Sequence, residues 1–469
     1  MCGRTDCSRL RQRFGAQVPS LATIDITFAP SFVSRFPRVL RVCSARADRE
    51  RRGLGLHMYD ETSPRYAGWR VVLACFLLAL SIFGFALYAQ GIYLVELERL
   101  NGWPPALISG ASTLSLLIGN VIVIFTDEIV RQLGLKRLAL AGVACLATSM
   151  VLLPFAAAPW TLYAAFALMS LGWVGMGTVI IPAVIGAWFV RRRGLAISLA
   201  FLGASSGGII VTPLLMVLVS HVGFQTAMVA ASAVLLIVLL PATFAWIGPP
   251  PSVSATAARA DQFLPAPGTS ISRGEIVRRR AFWTIAIPFA LGIIAQVGFI
   301  VHQIAILEPK IGALKAGLAV SVMTSMAIVG RVSLSVVADH LDPRLVGAIS
   351  LVSQAVALFT IHLSDNVHLV LLASAMFGFS IGNLITLPPL IIHREFEVQN
   401  FTVVMGLFTS ISGTVGAFGP GLIGLIRGWR GDYGAALLLS IALEVIAAAI
   451  VLARAGNPRV AKELDCARK

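Results

Sequence analysis

Residues 71–95 read VVLACFLLALSIFGFALYAQGIYLV, an unbroken run without a single Asp, Glu, Lys or Arg. A helix of about 20 apolar residues crosses the hydrocarbon core of a bilayer, and water-soluble helices do not run this long without charge. Working outward, the same pattern recurs at about 105–126, 138–158, 161–190, 195–220, 224–247, 281–307, 316–338, 345–363, 368–392, 402–426 and 434–453. The sequence therefore predicts an all-α integral membrane protein with twelve transmembrane helices.

Composition agrees. Charged residues are 13% of the 469-residue chain and hydrophobic residues 57%, whereas soluble proteins carry about 25% charged residues. So much apolar side chain excludes both a soluble enzyme and a disordered chain. The formal charge of +15 does not imply nucleic acid, because the basic residues sit in tails and short loops between apolar runs. They read as topology signals facing cytoplasm and anionic lipid. The six cysteines show no metal-like spacing and imply no disulfide framework.

The first 57 residues differ from the rest. They hold eleven Arg, no Lys and four acids, with no apolar run of spanning length. They read as a disordered extension or a start assigned upstream of Met58, with an organellar leader as the competing reading. Residues 58–247 form a first six-helix bundle and 281–453 a second. Between them lies 248–280, a cytoplasmic loop opening with Pro249-Pro250-Pro251, and 454–469 is a cytoplasmic tail. With both termini inside the cell or inner membrane, 20 Lys and Arg from Met58 onward face the cytoplasm and five face out, a strong positive-inside signal. The halves match at an offset of 208, which pairs Arg131 with Asp339, Trp188 with Phe396 and Gly208 with Gly416. Parallel repeats of this kind bind substrate between the halves, near mid-membrane.

Several segments carry a resemblance: Gly68-Trp69, Gly102-Trp103-Pro104, Ala187-Trp188-Phe189-Val190-Arg191-Arg192-Arg193-Gly194, Gly330-Arg331 and Ala338-Asp339-His340-Leu341-Asp342-Pro343-Arg344. Together they resemble the major facilitator superfamily, and within it the monocarboxylate transporters and oxalate–formate antiporter-like branch. The resemblance implies the major facilitator fold, and it implies a gating latch at Asp339 and Arg344. In the first half, basic Arg131 stands where the family has an acid. It also implies that Arg331 binds the substrate carboxylate. Relatives with an acid four residues before that arginine have Ala327 as their counterpart here, and Gln90 stands where some have lysine.

Arg331 is the most informative residue by its own physics. It lies eight positions before Asp339, about 12 Å up the helix, where an arginine is costly unless it faces a cavity or partner. Ser321, Thr324, Ser325 and Ser335 share an arc of about 120° with it at about 100° per residue. A guanidinium grips a carboxylate with two parallel hydrogen bonds. His302 carries a proton, touches substrate, or is an interfacial histidine bonded to a neighbouring helix. Asn383, Tyr88 and Gln296 supply neutral hydrogen bonds to a bound acid or make helix–helix contacts. Glu444, in the last span, is expected to be a protonated residue facing lipid or another copy.

Gly203-Ala204-Ser205-Ser206-Gly207 matches a hydrolase elbow only formally, because it lies within a continuous apolar helix. No motif for a nucleotide, metal or cofactor is present. The function expected is transport of a small organic anion, a mono- or dicarboxylate, by alternating access, with a proton or counter-anion as coupling partner. Efflux of amphipathic compounds, and a non-transporting receptor or scaffold, are the competing readings.

Overall fold

A computed structural model describes residues 61–453, except 62, 64, 65, 178, 190, 191, 249–271, 338–340 and 397–399. Most of the expected central loop, Asp339, the leader and the tail therefore lie outside the described residues. Among the described residues, twelve helices are long and apolar enough to cross a membrane. They are α1 Gly68–Tyr88, α2 Pro105–Ile124, α3 Leu135–Phe155, α4 Pro159–Trp188, α5 Arg193–Val222 and α6 Phe224–Trp246 in the first half. The second half has α7 Arg280–Ile311, α8 Ala313–Leu334, α9 Pro343–Leu363, α10 Val367–Glu395, α11 Val403–Arg430 and α12 Gly434–Leu452.

Each boundary has a local cause. Proline occupies the first turn of α2, α4 and α9, where its missing N–H costs nothing. Helix α1 continues as Gln90–Asn101 and stops at Gly102, whose φ of 64° suits the left-handed cap. The repeat is visible in the exits of α4 and α10. Phe189 (φ −120°, ψ 132°) and Phe396 (φ −116°, ψ 150°) take the same extended cap, one residue off the offset read from sequence.

The motif around Trp188 ties together the ends of the first-half helices nearest the basic loops. The Phe189 ring meets Trp69 at 5.0 Å and Tyr66 at 5.3 Å between centroids. The Trp188 indole donates to the Gly248 carbonyl at 3.0 Å, so α1, α4 and α6 are clamped at one point. In the second half this role falls to a charge. Buried Arg344 donates to both Glu395 oxygens at 2.5 and 2.8 Å, to Thr284 Oγ1 at 2.9 Å and to the Val451 carbonyl at 2.7 Å. It thus joins α7, α9, α10 and α12.

Lipid offers no hydrophobic drive for helix association, so close backbone packing and interhelical hydrogen bonds do that work. Ser149 donates to Ala165 O at 2.8 Å and Ser232 to Ala147 O at 3.0 Å. The tightest pair is α8 with α10. A Cβ at Gly378 would overlap the Met323 carbonyl, and one at Gly382 the Ala327 carbonyl and the Arg331 nitrogen. Gly382→Leu should therefore force α8 from α10 and lower the unfolding temperature of the purified protein, at a cost of about 1–3 kcal/mol or more. Gly428→Ala, whose new carbon would sit 3.7 Å from Ala106 Cβ, should leave that temperature unchanged.

Candidate functional site

The helices are not regular at mid-membrane. Helix α1 widens into a π-turn at Gly84–Tyr88 and α5 into another at Gly207–Val211. The two lie against each other, with a Cβ at Gly84 falling 2.8 Å from Val211 and one at Gly207 falling 2.7 Å from the Gly84 nitrogen. Such bulges gather at functional sites because they free backbone groups and re-aim side chains. Both effects occur here. The carbonyl of Ile209 accepts a hydrogen bond from Ser321 of α8 at 3.1 Å, and the α1 bulge ends on Tyr88.

Helix α8 crosses at this level and brings the second half to the first. Thr324 is buried against Gly208, and Arg331 lies two turns further along, half-buried. Tyr88 of α1 lies in the neighbourhood of Arg331. The Arg331 Nε makes no hydrogen bond. Among the described residues no carboxylate pairs with it. A guanidinium positioned this way can take a carboxylate in two parallel hydrogen bonds, with the Tyr88 phenol as a third donor.

The other expected residues go elsewhere. His302 is fully buried, with Nε2 3.0 Å from the Pro420 carbonyl and Nδ1 3.2 Å from the Tyr433 hydroxyl. The carbonyl requires Nε2 to donate, so Nδ1 accepts from Tyr433, and both nitrogens are committed within the second half. Burial pushes the Tyr433 phenol up from its ordinary range, which keeps it a donor. Asn383 turns away from α8, donating to Ser350 of α9 at 3.4 Å. Gln296 is buried in α7, and the structure shows no hydrogen bond from it to Arg331 or Tyr88. Arg131 pairs at 2.8 Å with Glu128 on its own short helix, Thr126–Leu133, and that helix's Gln132 and Arg131 hold the Glu128 carboxyl below its usual range. Glu444 corrects the lipid-facing expectation. It is fully buried, with Oε2 3.6 Å from where a Cβ of Gly292 on α7 would stand.

One element was missed by the sequence reading. Arg99, one of the five Lys and Arg placed in the outward-facing loops by the charge count, is helical and bridges Glu96 at 3.0 Å and Glu308 at the end of α7. This ties the halves together at the end remote from the basic loops. Burial holds the Glu96 carboxyl above its ordinary range, against the pull of Arg99. The signal was three acids, Glu96, Glu98 and Glu308, beside the ends of the first helix of each half. The rest of that end is zipped as well. Gly421 N donates to Thr113 Oγ1 at 2.9 Å, and Gly91 packs on Val301 and Ile304. At the basic end α2 and α11 part instead. Helix α11 breaks at Ala417–Phe418, and a cleft of about 520 Å³ opens between Asn120, Val121 and Ile124 on one side and Phe401, Met405 and Thr409 on the other.

Twelve spanning helices in two matched halves, closed at one end and cleft at the other, with an arginine inside α8 that no described carboxylate pairs, define a membrane transporter. Comparison with known proteins supplies the family. The Major Facilitator Superfamily model matches residues 74–420, and the chain belongs to that superfamily. It is 26% identical over 398 residues to Monocarboxylate transporter 13 of Bos taurus, spanning 83% of this chain and 88% of that one. The fold is similar to that of a bacterial homologue of the human lysosomal transporter Spinster, solved in an inward-facing and occupied conformation (TM-score 0.66, 14% identity, 83% of this chain and 97% of that one). It is also similar to the D-xylose-proton symporter (TM-score 0.63, 13% identity, 82% and 97%).

The Arg99 bridge is solvent-exposed, so it should set a balance of states more than a fold. Arg99→Ala should lower closure at that end by about 1 kcal/mol, roughly fivefold. Maleimide alkylation of Ile304→Cys, with native cysteines replaced by serine, should speed up by that factor at an unchanged unfolding temperature.

Proposed function

We propose that this chain is a secondary active transporter for small organic anions, mono- or dicarboxylates, working by alternating access of its two halves. The observation that carries this reading is Arg331, a guanidinium inside α8 whose Nε has no partner and which lies near Tyr88 of the opposite half. A buried cation without a counter-charge is costly. An anionic substrate relieves that cost as it binds, so substrate charge and site charge stabilise each other. The kinship with a protein named a monocarboxylate transporter supports the same substrate class.

The halves would rock about the α5–α8 and α2–α11 contacts. With both termini and the 248–280 loop on the cytoplasmic side of the cell membrane, as the arginine distribution favours, the cleft between α2 and α11 opens inward and the Arg99 bridge closes the outer face. Asn383 and Gln296 act in this reading through the packing of the second half, and His302 fixes α7 against α11. Arg344 holds the inner ends of that half as one body while it moves.

The test is uptake into proteoliposomes of labelled acetate, lactate, pyruvate, benzoate, oxalate and succinate. At least one acid should be taken up by wild type. Arg331→Lys should lose uptake at least tenfold with normal membrane insertion, because an ammonium cannot reproduce the planar fork. Efflux of amphipathic cations with no acid uptake would instead favour the efflux reading, and no flux at all a receptor or scaffold.

A further inference from the structure

The second half contains a polar group that the anchor does not use. Among the described residues, Glu444 is the only acid more than one helical turn from the end of any span. It is completely buried, and neither carboxylate oxygen has a hydrogen-bond partner. Leu351 of α9 and Glu444 both crowd Gly292 of α7, at 2.9 and 3.6 Å from its virtual Cβ. One turn from Leu351 on the same buried face is Gln354, also completely buried with both amide atoms unpartnered. One turn the other way from Gln354 is Ser350, which receives the Asn383 amide at 3.4 Å. Asn383 follows Gly382, which packs on the backbone of Arg331. Asn383, Ser350 and Gln354 thus put buried polar side chains on α10 and α9, with one hydrogen bond, Asn383 to Ser350, among them.

A carboxylate at this point makes no hydrogen bond and has no counter-charge among the described residues, so the site holds the neutral acid. Charged and titratable groups on the packed helices are engaged elsewhere. Arg344 shares the buried face of α9 but lies seven positions from Leu351, about 10 Å, and is bound by Glu395. His302 lies ten positions from Gly292 on α7, about 15 Å, between Tyr433 and Pro420. On α11, Arg427 is at the far end over Tyr433. A metal cation would need about six oxygen ligands, and the described donors here are the two Glu444 oxygens and the Gln354 amide oxygen. The arrangement takes a proton.

We infer that Glu444 is the proton-binding site of the transport cycle, held inside the second half and separate from the Arg331 anchor. The inference rests on the transport reading above. Helix α7 connects the two events. It faces Glu444 with a glycine, and its other end meets the first half at Gly91 and Arg99. A shift of α7 as the far end opens changes what covers Glu444, and the proton enters or leaves there as the neutral acid gives way to the carboxylate. The usual positions beside the arginine and on the first helix are neutral in this chain, Ala327 and Gln90, which leaves Glu444 to carry the proton.

Two measurements on the full-length protein in proteoliposomes test this. Dicyclohexylcarbodiimide, which couples to protonated carboxyls in apolar surroundings, should modify Glu444 at pH 6.5, read as a mass shift of its peptide. An unmodified Glu444 overturns the inference. For whichever acid of the panel wild type takes up, Glu444→Gln should keep exchange of labelled for unlabelled acid within twofold and lose accumulation driven by a pH gradient at least tenfold. Gradient-driven accumulation that survives the substitution also overturns it. Should the variant fail to insert, carbodiimide-modified wild type should show the same split, and unaffected accumulation after full modification counts against the proposal. A panel with no transported acid defeats the carboxylate reading of Arg331, and the carbodiimide result then decides Glu444 alone.

Discussion

An arginine inside a membrane helix, with no carboxylate among the described residues to pair with it, constrains everything packed around it. Its charge must be offset by burial geometry, by polar neighbours or by a ligand. The structure supplies little of the first two. The Tyr88 phenol, the α8 serines and the carbonyls freed at the π-turns soften the site without neutralising it. Helix α8 is pinned on its other side by the glycines of α10, which come so close that Arg331 has one direction left to face. The π-turns of α1 and α5 place Tyr88 near it and bond the Ile209 carbonyl to Ser321, ten residues earlier on the same helix. The interface between the halves is therefore built around an unmet charge.

The contacts that close the far end are weak individually. They comprise an exposed arginine between two glutamates, one threonine-to-backbone hydrogen bond and several glycine approaches. Exposed ion pairs contribute about 0–1 kcal/mol each. A closure of this strength can be undone by a modest change elsewhere. The clamps inside each half are of another kind. Phe189 sits in an aromatic cluster, and Arg344 makes hydrogen bonds to three other helices while buried. Strong ties within halves and weak ties between them are what rigid-body motion requires.

Much of this was legible in the sequence. The apolar runs gave the twelve helices to within a few residues because length and charge alone decide whether a segment crosses a bilayer. Arg331 stood out as a charge where charge is costly. What could not be read was direction. His302 looks the same in sequence whether it faces a cavity or bonds to Pro420 and Tyr433, and Asn383 the same whether it faces α8 or α9. The π-turns leave no mark in a pattern with helical period, and so the aim of Tyr88 was hidden. Arg99 was taken for a loop residue because α1 outruns its apolar stretch by several polar positions. Glu444 was assigned to lipid because the last helix is peripheral, yet its rotation turns that side chain onto α7. Rotation about a helix axis depends on packing, and in spans this uniformly apolar the hydrophobic pattern does not specify it.

The central claim is that Arg331 binds the carboxylate group itself. The direct measurement is the affinity of purified, folded wild type and Arg331→Gln for an acid and its amide, benzoate and benzamide, or the corresponding pair for whichever acid the protein transports. The account predicts that wild type prefers the acid at least tenfold and that Arg331→Gln prefers neither. A folded variant that keeps the wild-type ratio would contradict it.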